Sequence, residues 1–263
     1  MNSIFAKALW DQRRGVVAWS IGIAAVGILY ALFYPTMTTP GLSEFMRNFP
    51  PGILEAMGIG DFTTPAGYLG STTYGILGPI LMIVFGAALG SRAIAGDEEA
   101  GRLDVLLAHP VERWRFVVER ALAMVVALAI AGLVLLAAML LISGPAQFAE
   151  IGAANLVAAS LHIVLLGALF GALALAVGAA SGRRAWAAGA VAAVGVLTYF
   201  ANTLGPSIEG LAWMRDLSTF HYYSGGQPLR NGLQAVDAIV LTAAIVVLVA
   251  LAVVAFRRRD IAV

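Results

Sequence analysis

AGDEEAGRLDVLLAHPVERWRFVVER, residues 95–120, holds ten charged side chains in 26 positions, out of 16 basic and 15 acidic in the whole chain. It is flanked by residues 73–94 and 121–142, which are mostly Ala, Gly, Val, Leu, Ile and Met. A helix needs about 20 such residues to cross roughly 30 Å of hydrocarbon. An island of charge between two runs of that length reads as a water-facing connection between two membrane-crossing helices. Composition agrees. Of 263 residues, 60% are hydrophobic and only 12% charged, about half the charge of a typical soluble domain.

Six apolar runs appear on working outward from this stretch: about 16–35, 73–94, 117–142, 154–180, 186–204 and 238–256. Two long loops rich in Pro, Gly and polar residues, 36–72 and 205–237, interrupt them. The expected fold is an all-α integral membrane protein, one transmembrane domain of six helices over 1–263. The first run ends in Phe33, Tyr34 and Pro35 instead of a small-residue cleavage site, so it reads as a retained span and not a signal peptide. Basic residues set the direction. With both termini cytoplasmic, only Arg47, Arg215 and Arg230 of the 16 basic residues fall outside, a strong positive-inside asymmetry. Segment 95–116 is then cytoplasmic, and both long loops are extracytoplasmic.

Residues 1–14 place Ile4, Phe5, Leu9 and Trp10 near one helical face and Lys7, Asp11 and Arg14 on another. That pattern predicts an interfacial helix lying in the headgroup plane. Gly86 and Gly90, Gly167 and Gly171, and Gly178 and Gly182 are each four apart. Small residues at this spacing let helices approach closely in lipid, so a tightly packed bundle is expected.

Within the charged stretch, Asp97, Glu98 and Glu99 read as acids at a helix N-terminus, where the macrodipole favours them. Leu103, Leu106 and Leu107 then form an apolar stripe at i, i+3 and i+4. Pro110 breaks that helix and suits the first turn of the next. A short amphipathic helix joined to two spans, acidic first instead of basic, fits a soluble partner better than a membrane surface.

EAGRLDVLLAHPVERW resembles the signature of type-2 ATP-binding-cassette (ABC) permeases, roughly E-x-G-[TR]-L-[DE]-x-L-L-x-x-P-[VI]-x-R. Glu99, Gly101, Leu103, Asp104, Leu106, Leu107, Pro110, Val111 and Arg113 match it, and Arg102 stands where threonine is commoner. The tail FRRRDIAV and the stretch STFHYYSGGQPLRNG also resemble family sequences. The resemblance implies that segment 95–116 is the coupling helix that docks on an ATPase. It further implies that Glu99, Gly101, Leu103, Asp104, Leu106, Leu107, Pro110 and Arg113 carry the coupling. The second and fifth spans of two subunits would line the substrate route, pointing to Pro79, Met82 and Phe85 and to Tyr199, Phe200, Asn202 and Thr203. The expected activity is ATP-driven movement, most simply export, of a hydrophobic or amphipathic compound across a bacterial cell membrane. Two ATPase subunits and a second permease copy are the implied partners.

Residue counts narrow the rest. There are no cysteines, so thiolate metal sites and cysteine nucleophiles are excluded. Lys7 is the sole lysine and has no glycines before it, so the chain lacks a phosphate-binding G-x-x-x-x-G-K-[ST] loop. ATP and Mg²⁺ therefore belong to a separate chain, and no cofactor or metal is expected in this one. A net charge of +1 gives no reason to expect nucleic acid, and the partners beyond protein are membrane lipids. Scarce lysine with abundant Ala, Gly and Arg points to a GC-rich, bacterial genome. His162, about nine residues into the fourth run, is a candidate for proton or substrate handling or for helix packing. Two rival readings are a non-transporting ABC-type sensor or assembly module and a membrane-embedded enzyme. The second lacks any HExxH or GxSxG motif.

Overall fold

The computed structural model describes residues 4–37, 64–103, 112–208 and 210–259. Six long apolar helices dominate it: α1 (Ile4–Met37), α2 (Pro65–Glu99), α3 (Arg113–Ile142), α4 (Ala153–Ser181), α5 (Arg184–Leu204) and α6 (Ala235–Arg258). No strand occurs among the described residues. Even α5, at 21 residues, is about 31 Å long at 1.5 Å per residue, enough to cross the hydrocarbon. Large apolar side chains such as Ile21, Leu133 and Val246 stay more than 60% exposed, which costs little when the surrounding medium is lipid.

The axis of the bundle is α4. In its most apolar stretch 72% of residues are buried, against 17% in α5, and it packs on α2, α3, α5 and α6. Its sequence explains this. Ala158, Ala159, Gly167, Ala168, Gly171, Ala172, Ala174, Gly178 and Ala179 are all buried, so neighbours approach it from every side. Without a hydrophobic drive between helices in lipid, such close packing holds the bundle together. The tightest seam is with α2. There Gly86 faces Gly167 and Gly171, and Gly90 faces Gly171, so closely that an added Cβ would fall on an α4 carbonyl oxygen. Helix α1 lies along α3 and α2, with Trp19 stacked on Phe85 of α2 at 5.3 Å between ring centroids.

Several expected boundaries move. Among the described residues, 4–14 form no separate helix; α1 is continuous from Ile4, and the Phe5 amide donates to Glu119 Oε2 of α3 at 2.8 Å. The second helix begins at Pro65, eight residues before the expected start. Thr64 Oγ1 caps it by accepting from the Gly67 amide, and Pro65 fills the first turn. Residues 38–63 of the first long loop lie outside the described residues.

Two wide π turns interrupt α2, at Thr73–Leu77 and Arg92–Gly96. The first has a clear cause and a clear remedy. The Gly78 amide bonds to Thr73 O, and Pro79 has no N–H to offer, so the Tyr74 carbonyl has no partner within its own helix. The buried Tyr223 hydroxyl donates to it. In a membrane protein such a freed carbonyl has to be satisfied by a neighbour. Tyr223 belongs to the short helix Thr219–Ser224 in the second long loop. That loop is therefore inserted into the bundle. Ser218 is fully buried and its hydroxyl donates to Thr198 O of α5 at 2.6 Å, while Phe220 packs edge-on against Tyr199.

Candidate functional site

The charged stretch leaves α2 at the end of the bundle that holds the start of α1 and the end of α6, and its acids take an unexpected position. Asp97, Glu98 and Glu99 form the last turn of α2, not the first turn of a new helix. The helix stops because Gly101 adopts φ +64, with its amide on Glu98 O and the Arg102 amide on Asp97 O. These two bonds are the Schellman stop, for which glycine is the favoured residue. Carboxylates at a helix C-terminus oppose the macrodipole by about 0.3–1 kcal/mol each, so cations and amides from elsewhere have to offset them.

Three neighbouring elements do so. Asp97 receives Arg120 of α3 at 2.6 Å and Arg102 at 2.9 Å. The Asp97 and Arg120 side chains are only 11% and 12% exposed, so this is a desolvated pair. Glu98 pairs with Arg259 beyond the end of α6, and Arg259 also donates to Ala179 O of α4 at 3.3 Å. The pair fits because Gly182, at φ +67, has no side chain; a Cβ there would lie 2.6 Å from Glu98 Oε1. Glu99 Oε1 accepts the Arg184 amide at 2.8 Å, placing a carboxylate on the N-terminus of α5, where the dipole favours it. Arg113 closes the cluster, donating to Arg259 O at 3.0 Å and Phe256 O at 3.4 Å. Leu103 is 2% exposed, in an apolar cluster with Ile94, Phe116, Val117 and Phe256.

Four of the eight expected coupling residues are therefore brought together: Glu99, Gly101, Leu103 and Arg113. Asp104, Leu106, Leu107 and Pro110 lie outside the described residues. Sequence reasoning missed Arg120, Arg184, Arg259 and Gly182, which sit up to 161 residues from their partners in the chain.

A second feature is an apolar groove of about 720 Å³ between α2 and α5. Pro79, Tyr199 and Phe200, named from sequence for a substrate route, line it together with Ile80, Ile83 and Val196. Met82 and Phe85 do not. They are 0% and 1% exposed, on the α2 face that carries Gly86, and are packed into the core. Asn202 and Thr203 are half-buried at the far end of α5 and also miss the groove. His162 is fully buried on α4, its Nδ1 2.9 Å from Ala158 O.

The family described as ABC-2 family transporter protein matches residues 3–261. The chain belongs to this ABC-2 family. A comparison with curated proteins gave no match. As an ABC-2 permease it is the multi-pass membrane subunit of a transporter and not a catalytic chain, and membership implies an ABC ATPase as partner. Among the described residues, no cluster of His, Asp and Glu has the arrangement of a metal site.

Proposed function

We propose that this ABC-2 permease exports a hydrophobic or amphipathic compound across a bacterial cell membrane, driven by ATP hydrolysis in two copies of a separate ATPase. In this reading segment 95–116 is the cytoplasmic coupling element, and the positive-inside count of basic residues supports that orientation. The observation that carries the reading is the carboxylate cluster at Asp97–Glu99. It bonds the root of the charged segment to α3, to the first turn of α5 and to the residue that follows α6. Displacement of the segment by a docked ATPase is thereby passed to α2, α3 and α5 at once. Two of these, α2 and α5, wall the apolar groove.

The test uses the permease and its ATPase in liposomes, with a fluorescent amphiphile as cargo. Leu106→Asp places a charge on the leucine stripe, and Glu99→Ala removes the acceptor at the start of α5. ATP hydrolysis continues in both variants, and ATP-dependent movement of the dye falls at least tenfold. Transport at the parent rate by Leu106→Asp, with ATPase recruitment intact, removes the coupling reading.

A homodimer completes the route. The outer face of α5 is the least covered in the bundle, with Trp186 64% and Leu197 68% exposed, and a single six-helix chain encloses little space. The absence of cysteine makes a direct check clean. Leu197→Cys forms a disulfide-linked permease dimer on mild oxidation in membranes, whereas Leu141→Cys, 79% exposed on α3, stays monomeric. The reverse pattern overturns the α5 interface.

A further inference from the structure

Beside the carboxylate cluster lies a polar cavity of about 640 Å³ between the start of α1, the end of α2, α3 and the first turn of α5. Five cations line it, Lys7, Arg92, Arg102, Arg120 and Arg184, against two acids, Asp11 and Asp97. Asp97 is already occupied by Arg102 and Arg120. Among the described residues, the side chains of Lys7, Arg92 and Arg184 have no hydrogen-bond or ion-pair partner, and the Arg120 Nε–H is buried without an acceptor. The concavity therefore carries excess positive charge and an unused buried donor. A cleft with one sign of charge and low-dielectric walls focuses its field on an incoming ion of opposite sign.

Position identifies the ion. Arg184 lines both this cavity and the apolar groove between α2 and α5, and Ser91, at the end of the groove, immediately precedes Arg92 of the cavity. A basic hollow thus opens at one end of a greasy slot. We infer that the cavity binds the anionic phosphate headgroup of an acidic phospholipid, whose acyl chains lie along the groove. Arginine forks match phosphate oxygens in pairs, and basic pockets between membrane helices are suited to such headgroups. The assignment needs only that the helices span a bilayer; it stands whatever the chain transports.

The test is lipid retention by the full chain, released from mixed micelles of phosphatidylglycerol and phosphatidylcholine and weighed by native mass spectrometry. Phosphatidylglycerol is retained in preference. In Arg92→Gln/Arg184→Gln that preference falls about 25-fold, from roughly a factor of five per arginine. Both side chains are exposed and unpaired, so the variant loses no internal hydrogen bond or ion pair. Its thermal midpoint in phosphatidylcholine alone stays at the parent value. The control Arg257→Gln/Arg258→Gln removes two exposed charges from the same end of the bundle and leaves the preference unchanged. Equal retention of the two lipids overturns the site, as does equal loss of preference in the control. Stabilisation by inorganic phosphate in phosphatidylcholine, with no further gain from phosphatidylglycerol, overturns the lipid as occupant.

Discussion

Gly86→Leu/Gly90→Leu abolishes the stable bundle. At both positions the atom that meets a new side chain is backbone: the Gly167 carbonyl oxygen opposite Gly86 and the Gly171 carbonyl oxygen opposite Gly90. A flexible neighbour would rotate away, but a helix backbone cannot. Relief requires α2 and α4 to separate along their tightest seam, exposing Met82, Phe85 and Leu89, all now buried. Overpacking a core costs about 1–3 kcal/mol per site and sometimes more, so the pair removes about 3 kcal/mol or more. Measured by circular dichroism in detergent, the thermal midpoint drops sharply and yield from membranes falls with it. Gly189→Leu is the control, since an added Cβ there meets nothing within 4 Å, and its midpoint stays at the parent value. Equal midpoints for all three proteins would show that the seam is not what holds the bundle.

Asp97→Ala has the second large effect. It leaves the Arg120 guanidinium, 12% exposed and over the Phe116 ring, without its carboxylate and beside the other cations of the cavity. Breaking a buried ion pair by removing one partner costs about 3–5 kcal/mol, whereas replacing both partners by apolar residues is often neutral. Asp97→Ala/Arg120→Met should therefore recover most of the midpoint lost by Asp97→Ala alone. The Arg102 contact contributes little, because that side chain is 65% exposed and a solvated pair is worth about 0–1 kcal/mol. A double variant as unstable as the single one would refute the buried-pair account.

Much of this architecture was readable from residue order. Apolar runs of helix length predict six spans, and six helices form. Glycines four apart predict close contact, and Gly86, Gly90, Gly167 and Gly171 make it. The ends were less legible, because polarity marks where lipid stops and not where a helix stops. Helix α1 continues through Lys7 and Asp11, and α2 starts at a Thr-Pro cap inside the loop. Reading Asp97–Glu99 as an N-terminus followed the dipole rule and failed because the offsetting arginines are remote in sequence. The correct signal was Gly101, two residues beyond the acids, which marks a helix stop. Met82 and Phe85 are buried and do not line the groove, because they share a face with Gly86 and Leu89, the packing stripe of the same helix. That stripe was visible. What no pattern revealed was that the Tyr74 carbonyl, freed ahead of Pro79, would need the Tyr223 hydroxyl, 149 residues away.

The three consecutive carboxylates that end α2 have a kinematic consequence. Successive side chains on a helix fan out by about 100°, and here each arm of the fan is held by a different neighbour. Twisting that tip about its own axis would tear all three tethers in one step, whereas tilting or sliding it together with its neighbours strains none of them. The tip of α2 is thus denied rotation and left free to tilt, so a push delivered there emerges as a swing of several helices in concert.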